Sequence, residues 1–239
     1  MDIDIQHRPV NSMAVVNLQP NEQIIVEPGA MIGMSTNVNM ETGMGGSNNK
    51  KKEGGLLGGL VKAAARAMFT GESFFQNTFT AQGGPGEVLV AHSLPGDLFV
   101  VDIPQQGLKV QSQSFVASDP GVELSADFGG ARSFFGGEGL FLIDIQASGP
   151  GQKLLLGSFG GIQKMEVKGS LVIDTGHLVA WDGHMNFNVK KSSSGWISSF
   201  LSGEGLVCDF QGEGNVWIQT RHPLEYGTAI GQLLPPRNA

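Results

Sequence analysis

The chain is short of charge, cysteine and long apolar runs, and each shortage removes a class of protein. Only 15% of its 239 residues are charged. Lys, Arg and Glu, which commonly fill helix surfaces, are scarce, and this speaks against a helical bundle. There is one cysteine, Cys208. No intrachain disulfide can form, a Cys-rich zinc site is excluded, and a reducing compartment fits. No segment approaches the roughly 18 apolar residues of a membrane-spanning helix. The start, Met1-Asp2-Ile3-Asp4, has neither a basic region nor an apolar stretch, so a cytoplasmic chain without a signal peptide is expected. Basic residues are also in deficit: the net charge is −7. A protein that neutralises nucleic-acid phosphates is normally basic, so no nucleic-acid partner is expected.

What the chain has is glycine, 36 residues of it, about twice the usual share. The glycines follow no three-residue period, which excludes collagen. Hydrophobic residues make up 40% of the chain, enough for a real core. Val, Ile, Leu and Phe come in short bursts between Gly, Pro, Asn and Asp. That pattern reads as an all-β protein with many tight turns.

The bursts repeat. Arg66 to Glu72, Arg132 to Glu138 and Ser198 to Glu204 carry one phrase ending in Gly-Glu, and the glutamates are 66 residues apart twice over. After each glutamate comes a strand-like run ending in glycine: Phe74 to Gly83, Leu140 to Gly149, Leu206 to Gly214. A further apolar triplet follows: Val88 to Val90, Leu154 to Leu156, Val216 to Ile218. Upstream, Ile24-Ile25-Val26 aligns with Leu108-Lys109-Val110 and Leu171-Val172-Ile173. Met31-Ile32-Gly33 aligns with Phe115-Val116-Ala117 and Leu178-Val179-Ala180. Several marks in register point to triplication. A unit of about 66 residues is near the lower limit for a stable β structure, and stacked neighbours would cover one another's edges. One compact domain with pseudo-threefold symmetry is therefore expected. Its repeats run over about 13–92, 98–158 and 162–221, with a C-terminal tail at 222–239. Asp182-Gly183 reads as a two-residue hairpin turn, and short helices are expected before each Gly-Glu turn.

The first copy carries an insert, about Gly43 to Ala65. With its flank it holds Lys50, Lys51, Lys52, Lys62 and Arg66 against one acid, Glu53. Leu57, Val61, Ala64 and Met68 fall on one helical face. A basic amphipathic segment of this kind suits an acidic protein partner or an anionic membrane surface. The bland alternative is a loop and short helix that plug one end of the body.

Chemistry is thin elsewhere. Glu72, Glu138 and Glu204 occupy equivalent places, and if they converge they would form a pseudo-threefold site that needs a cation or protons. The alternative is that each serves its own turn. His177 and His184 straddle Asp182-Gly183 but lack a third ligand, so no metal is expected. There is no His-x-His pair, no Gly-x-Ser-x-Gly elbow and no P-loop. Cys208 sits in the strand-like run Leu206 to Phe210 and reads as buried and inert. No catalytic residue and no cofactor are expected.

Glu27-Pro28-Gly29-Ala30-Met31, the Gly-rich insert, Arg66 through Gly71-Glu72-Ser73-Phe74, and Pro95-Gly96-Asp97 occur in an order and spacing that resemble the altered-inheritance-of-mitochondria 24 family. The resemblance spans about Met13 to Arg221. It implies three tandem units like the tryptophan RNA-binding attenuation protein, each a short double-stranded β-helix. Fungal members of that family are linked to mitochondrial inner-membrane organisation. The acidic start favours a prokaryotic member. No residue matches the attenuator's tryptophan or RNA contacts. The expected role is a non-enzymatic scaffold or interaction protein, able to oligomerise through edge strands. The alternative is a small-ligand or metal-binding module at the pseudo-threefold axis.

Overall fold

Strict alternation sets the first core strand. In Met13–Leu18, every second side chain (Ala14, Val16, Leu18) is fully buried, as expected of a pleated strand with one face on a core. The same period-two burial recurs along the chain. It yields seventeen strands, one α-helix and two short 3-10 turns in a computed structural model that describes residues 2–45, 74–127, 142–191 and 206–235.

The strands are β1 (Asp2–Gln6), β2 (Met13–Leu18), β3 (Gln23–Val26), β4 (Met31–Met34), β5 (Val38–Gly45), β6 (Phe74–Ala81), β7 (Gly86–Ala91), β8 (Leu98–Asp102) and β9 (Leu108–Gln111). They continue with β10 (Phe115–Ser118), β11 (Val122–Asp127), β12 (Leu142–Ala147), β13 (Lys153–Gly157), β14 (Ile162–Asp174), β15 (Leu178–Asp182), β16 (Asn186–Lys191) and β17 (Leu206–Gln219). The helix α1 (Pro223–Leu233) ends the described chain. The protein is thus all-β in its body, as the composition suggests. Every described triplet aligned above lies within a strand.

All strand pairings are antiparallel and build three sheets. Their orders are β1-β2-β7-β4, then β5-β6-β3-β10-β13-β8, then β11-β12-β9-β15-β17-β14, with β16 also on β17. Two seams join successive parts of the chain. β3 pairs with β10, and β9 pairs with β15. The cores cross these seams. Val116, Ala117 and Leu155 belong to the first apolar cluster with Ile24, Val26 and Phe79. Val179, Ala180 and Trp217 belong to the second with Leu108 and Val110. Trp181, Phe187 and Phe210 form the heart of the third, with Trp181 meeting the other two edge-on at 5.1 and 5.4 Å.

β14 and β17 differ from the rest by running unbroken for thirteen rungs. Within the ladder Gly169 lies opposite Gly212, each with φ of +104°. Only glycine takes that conformation without strain, so a facing pair lets the ladder pass through it without losing its pairing. Among the described residues, β4 pairs only with β7, and β14 only with β17.

Two expectations need correction. Asp182-Gly183 does not close a hairpin: β15 and β16 pair not with each other but with successive stretches of β17. The tail from residue 222 is also more regular than expected. His222 accepts hydrogen bonds from the backbone N–H groups of Leu224 and Glu225, and Pro223 opens a helix there. Proline is favoured at that position because its missing N–H would have had no helical partner.

Candidate functional site

The main polar cluster gathers where the N-terminal segment meets the start of β8. Pro95-Gly96-Asp97 turns the chain there. Arg8 donates to the Asp97 carboxylate through Nε and Nη2, both at 2.8 Å. The Ser12 hydroxyl donates to it at 2.8 Å and the Leu98 N–H at 2.9 Å. Burial alone would raise the Asp97 carboxyl, but the bonds from Arg8, Ser12 and Leu98 outweigh burial and hold it below its ordinary value. The backbone continues the knot. Ser12 N–H donates to Gly96 O, and Asp97 N–H to Gly160 O, while Ser158 N–H donates back to Asp97 O. Gly96 sits so close to Ser158 and Gly160 that a Cβ would run into their backbone.

Further along the chain, other segments are tied in the same way. Gln219 is buried; it accepts from the Phe159 N–H at 2.9 Å and donates to Gly176 O at 2.8 Å. Asp182, also buried, accepts from the backbone and side-chain nitrogens of Asn215 at 2.8 and 2.9 Å. These groups spend their hydrogen bonds on joining segments.

The sequence-derived candidates fall elsewhere. Glu72, Glu138 and Glu204, and the basic residues Lys50, Lys51, Lys52, Lys62 and Arg66, lie outside the described residues. The strands that flank them share one arrangement. The last rungs are Gly45 opposite Phe74, Asp127 opposite Leu142 and Lys191 opposite Leu206. In the sequence, each candidate segment thus falls between two strands that pair antiparallel with each other. His177 and His184 are not brought together. His177 Nδ1 bonds Gln219 O at 2.8 Å and His184 Nε2 bonds Glu213 O at 3.0 Å, six residues apart along β17. Among the described residues, no three His, Cys, Asp or Glu side chains gather as metal ligands. Cys208 is fully buried in β17; burial, and then the nearby Asp174 charge, push its thiol up to about 12.

Two functional-looking residues escaped the sequence reading. Asp97 was visible only as part of a Pro-Gly-Asp turn, because its partners Arg8 and Ser12 are 85 and more residues away. Glu27 sits at the β3–β10 seam, where its N–H donates to Val116 O. Burial pushes its carboxyl up to about 7. Nothing local in Val26-Glu27-Pro28 signals that burial.

An antiparallel all-β body in which Asp97, Asp182 and Gln219 bond to other segments of the same chain defines a structural class without defining a reaction. The chain belongs to the mitochondrial biogenesis AIM24 family, whose profile matches residues 3–221. It is similar to an uncharacterized protein of Streptococcus pyogenes serotype M6, 27% identical over 223 residues, covering 92% of this chain and 86% of that one. Its fold is similar to the crystal structure of a Streptococcus pyogenes protein, with a TM-score of 0.77 at 24% identity, over 98% of this chain and 99% of that chain. No described helix is long and apolar enough to cross a membrane.

Proposed function

We propose that the chain is a non-enzymatic scaffold of three tandem units with one six-strand pattern, each like the double-stranded β-helix of the attenuator protein. The first unit is β2 to β7 and the second β8 to β13. The third is β14 to β17, in which β14 and β17 each stand for two strands joined through Gly169 and Gly212. The equal strand order within each unit supports this reading. So do the two seams, which link corresponding strands of successive units. The units follow one another through a repeated seam; the expected threefold would also pair β14 with β4 within the chain, and among the described residues these two strands do not pair.

The observation that carries the scaffold reading is the use of buried polar groups. Asp97, Asp182, Gln219 and Ser12 hold turns and seams together. Sites for chemistry instead leave donors and acceptors aimed at a substrate. The contact region we assign is the basic insert, Lys50, Lys51, Lys52, Lys62 and Arg66, with an acidic protein or an anionic membrane surface as its counterpart. Vesicle flotation tests the membrane arm. Wild type is expected to float with phosphatidylglycerol vesicles and not with neutral ones, and K50E, K51E and K52E together are expected to abolish this. Equal flotation of the triple variant would remove the insert as the contact region. The competing reading, a ligand or metal module at Glu72, Glu138 and Glu204, predicts a co-purifying mass in native mass spectrometry.

A further inference from the structure

The two seams inside the chain use the same rung. At the first, Ala117 lies opposite Val26 and Ser118 opposite Ile25. At the second, Ala180 lies opposite Val110 and Trp181 opposite Lys109. Val26 and Val110 are the last residues of their aligned triplets, and so are Ala117 and Ala180. The remaining pair of triplets is Leu171 to Ile173 on β14 and Met31 to Gly33 on β4. Both lie on strands whose outer edge has no partner strand among the described residues.

The side chains there are dressed for a seam. β10 and β15, the strands that correspond to β4, are buried along their whole length. β4 keeps their apolar character but leaves Ile32 57% and Met34 40% exposed, and Val172 on β14 is 53% exposed. Natural edge strands guard against pairing with charges or proline. Among the described residues, every other edge strand carries at least one charged side chain, while Met31-Ile32-Gly33-Met34 carries none. The charges of β14 fall before Gly169 and at Asp174, leaving Ser170 to Ile173 bare. The end near β14 also carries α1, which has no buried residue. Its cap His222 lies 3.6 Å from Asp174, and its Tyr226, Ile230 and Leu233 are exposed.

We propose that β4 of one copy adds to the outer edge of β14 in a second copy, head to tail. The register is that of the internal seams, with Gly33 opposite Ile173 and Met34 opposite Val172. A contact between unlike surfaces closes into a ring or extends into a fibre according to the rotation per step. Backbone ladder bonds supply the attraction, and the exposed Ile32, Met34 and Val172 supply the apolar cover. The proposal rests on the three-unit reading, since it extends that reading's register to the outer edges.

Cysteine pairs test both and tell them apart. Ile25→Cys with Ser118→Cys is the internal counterpart of Met34→Cys with Val172→Cys, because each pair occupies the same aligned positions. Residues directly opposite on a ladder lie within disulfide reach. On oxidation the inner pair is expected to close within one chain and the outer pair to link chains into covalent oligomers. Cys208 is buried and stays out of the reaction. If the inner pair closes but the outer pair yields only single chains, the end-to-end contact is wrong and the three-unit register stands. Failure of the inner pair overturns the register and the proposal with it. Sedimentation gives an independent readout: wild type is expected to associate, Met34→Glu to dissociate it, and Met34→Glu with Val172→Lys to restore it. A wild type that sediments as a single chain overturns the contact.

Discussion

Among the described residues Asp97 is the acceptor for both the Arg8 guanidinium and the Ser12 hydroxyl, so removing its carboxylate strands both. Asp97 is 5% exposed while Arg8 is 46% exposed, so Arg8 can recover some hydration and Ser12 cannot. Asp97→Ala is expected to cost about 2 kcal/mol, read as a lower melting temperature. Because Asp97 is held below its ordinary 3.8, its contribution is present at neutral pH and fades as pH falls through the folded value. Glu27 works with the opposite sign. Burial raises it from 4.5 to about 7, so its protonated form is the one the fold prefers. Its favourable contribution is complete below about pH 4.5 and is lost as pH rises to about 7. Glu27→Gln is expected to flatten the stability profile across that window, measured by denaturant melts at a series of pH values. An unchanged profile would mean that the carboxyl reaches water.

Elements inherit their positions from these residues and from close backbone approach. At Gly96 the backbone bridges to Gly160 with no room for a side chain. Gly96→Ala must push the two turns apart, and a loss of about 1–3 kcal/mol is expected. The body's strands were legible in the sequence because short apolar triplets recur in register and burial follows a period of two. The pairing partners were less legible. Asp182-Gly183 looks like a hairpin turn, yet Leu178 to Asp182 finds its neighbours in β9 and β17, at large sequence separation. Local turn chemistry cannot report such partners. The terminal helix is only weakly signalled in the sequence. Pro223 sits at its first turn, and Tyr226, Ile230 and Leu233 share one face. Gly227 and Gly231, poor helix formers, obscure these signals. Of the candidate site, the sequence showed where charge and repetition concentrate. The long-range Arg8–Asp97 pair and the half-buried Glu27 depend on packing that no local spacing encodes.

The whole molecule is directional, with unlike ends. One end offers four strands in the sheet β1-β2-β7-β4, and the other is built on the thirteen-rung ladder of β14 and β17. That ladder passes Gly169 and Gly212 without a missing rung, so it offers no interior point at which a few residues can open alone. Local opening there must approach global unfolding, whereas shorter ladders can fray separately. In native-state hydrogen exchange, the amides of Ile162–Asp174 bonded to β17 are expected to be the last to exchange. Those of the four-stranded sheet should lose protection at lower denaturant concentration. The facing glycines at 169 and 212 thus set a polarity of unfolding: the chain is expected to come apart from its beginning and to hold longest at its end.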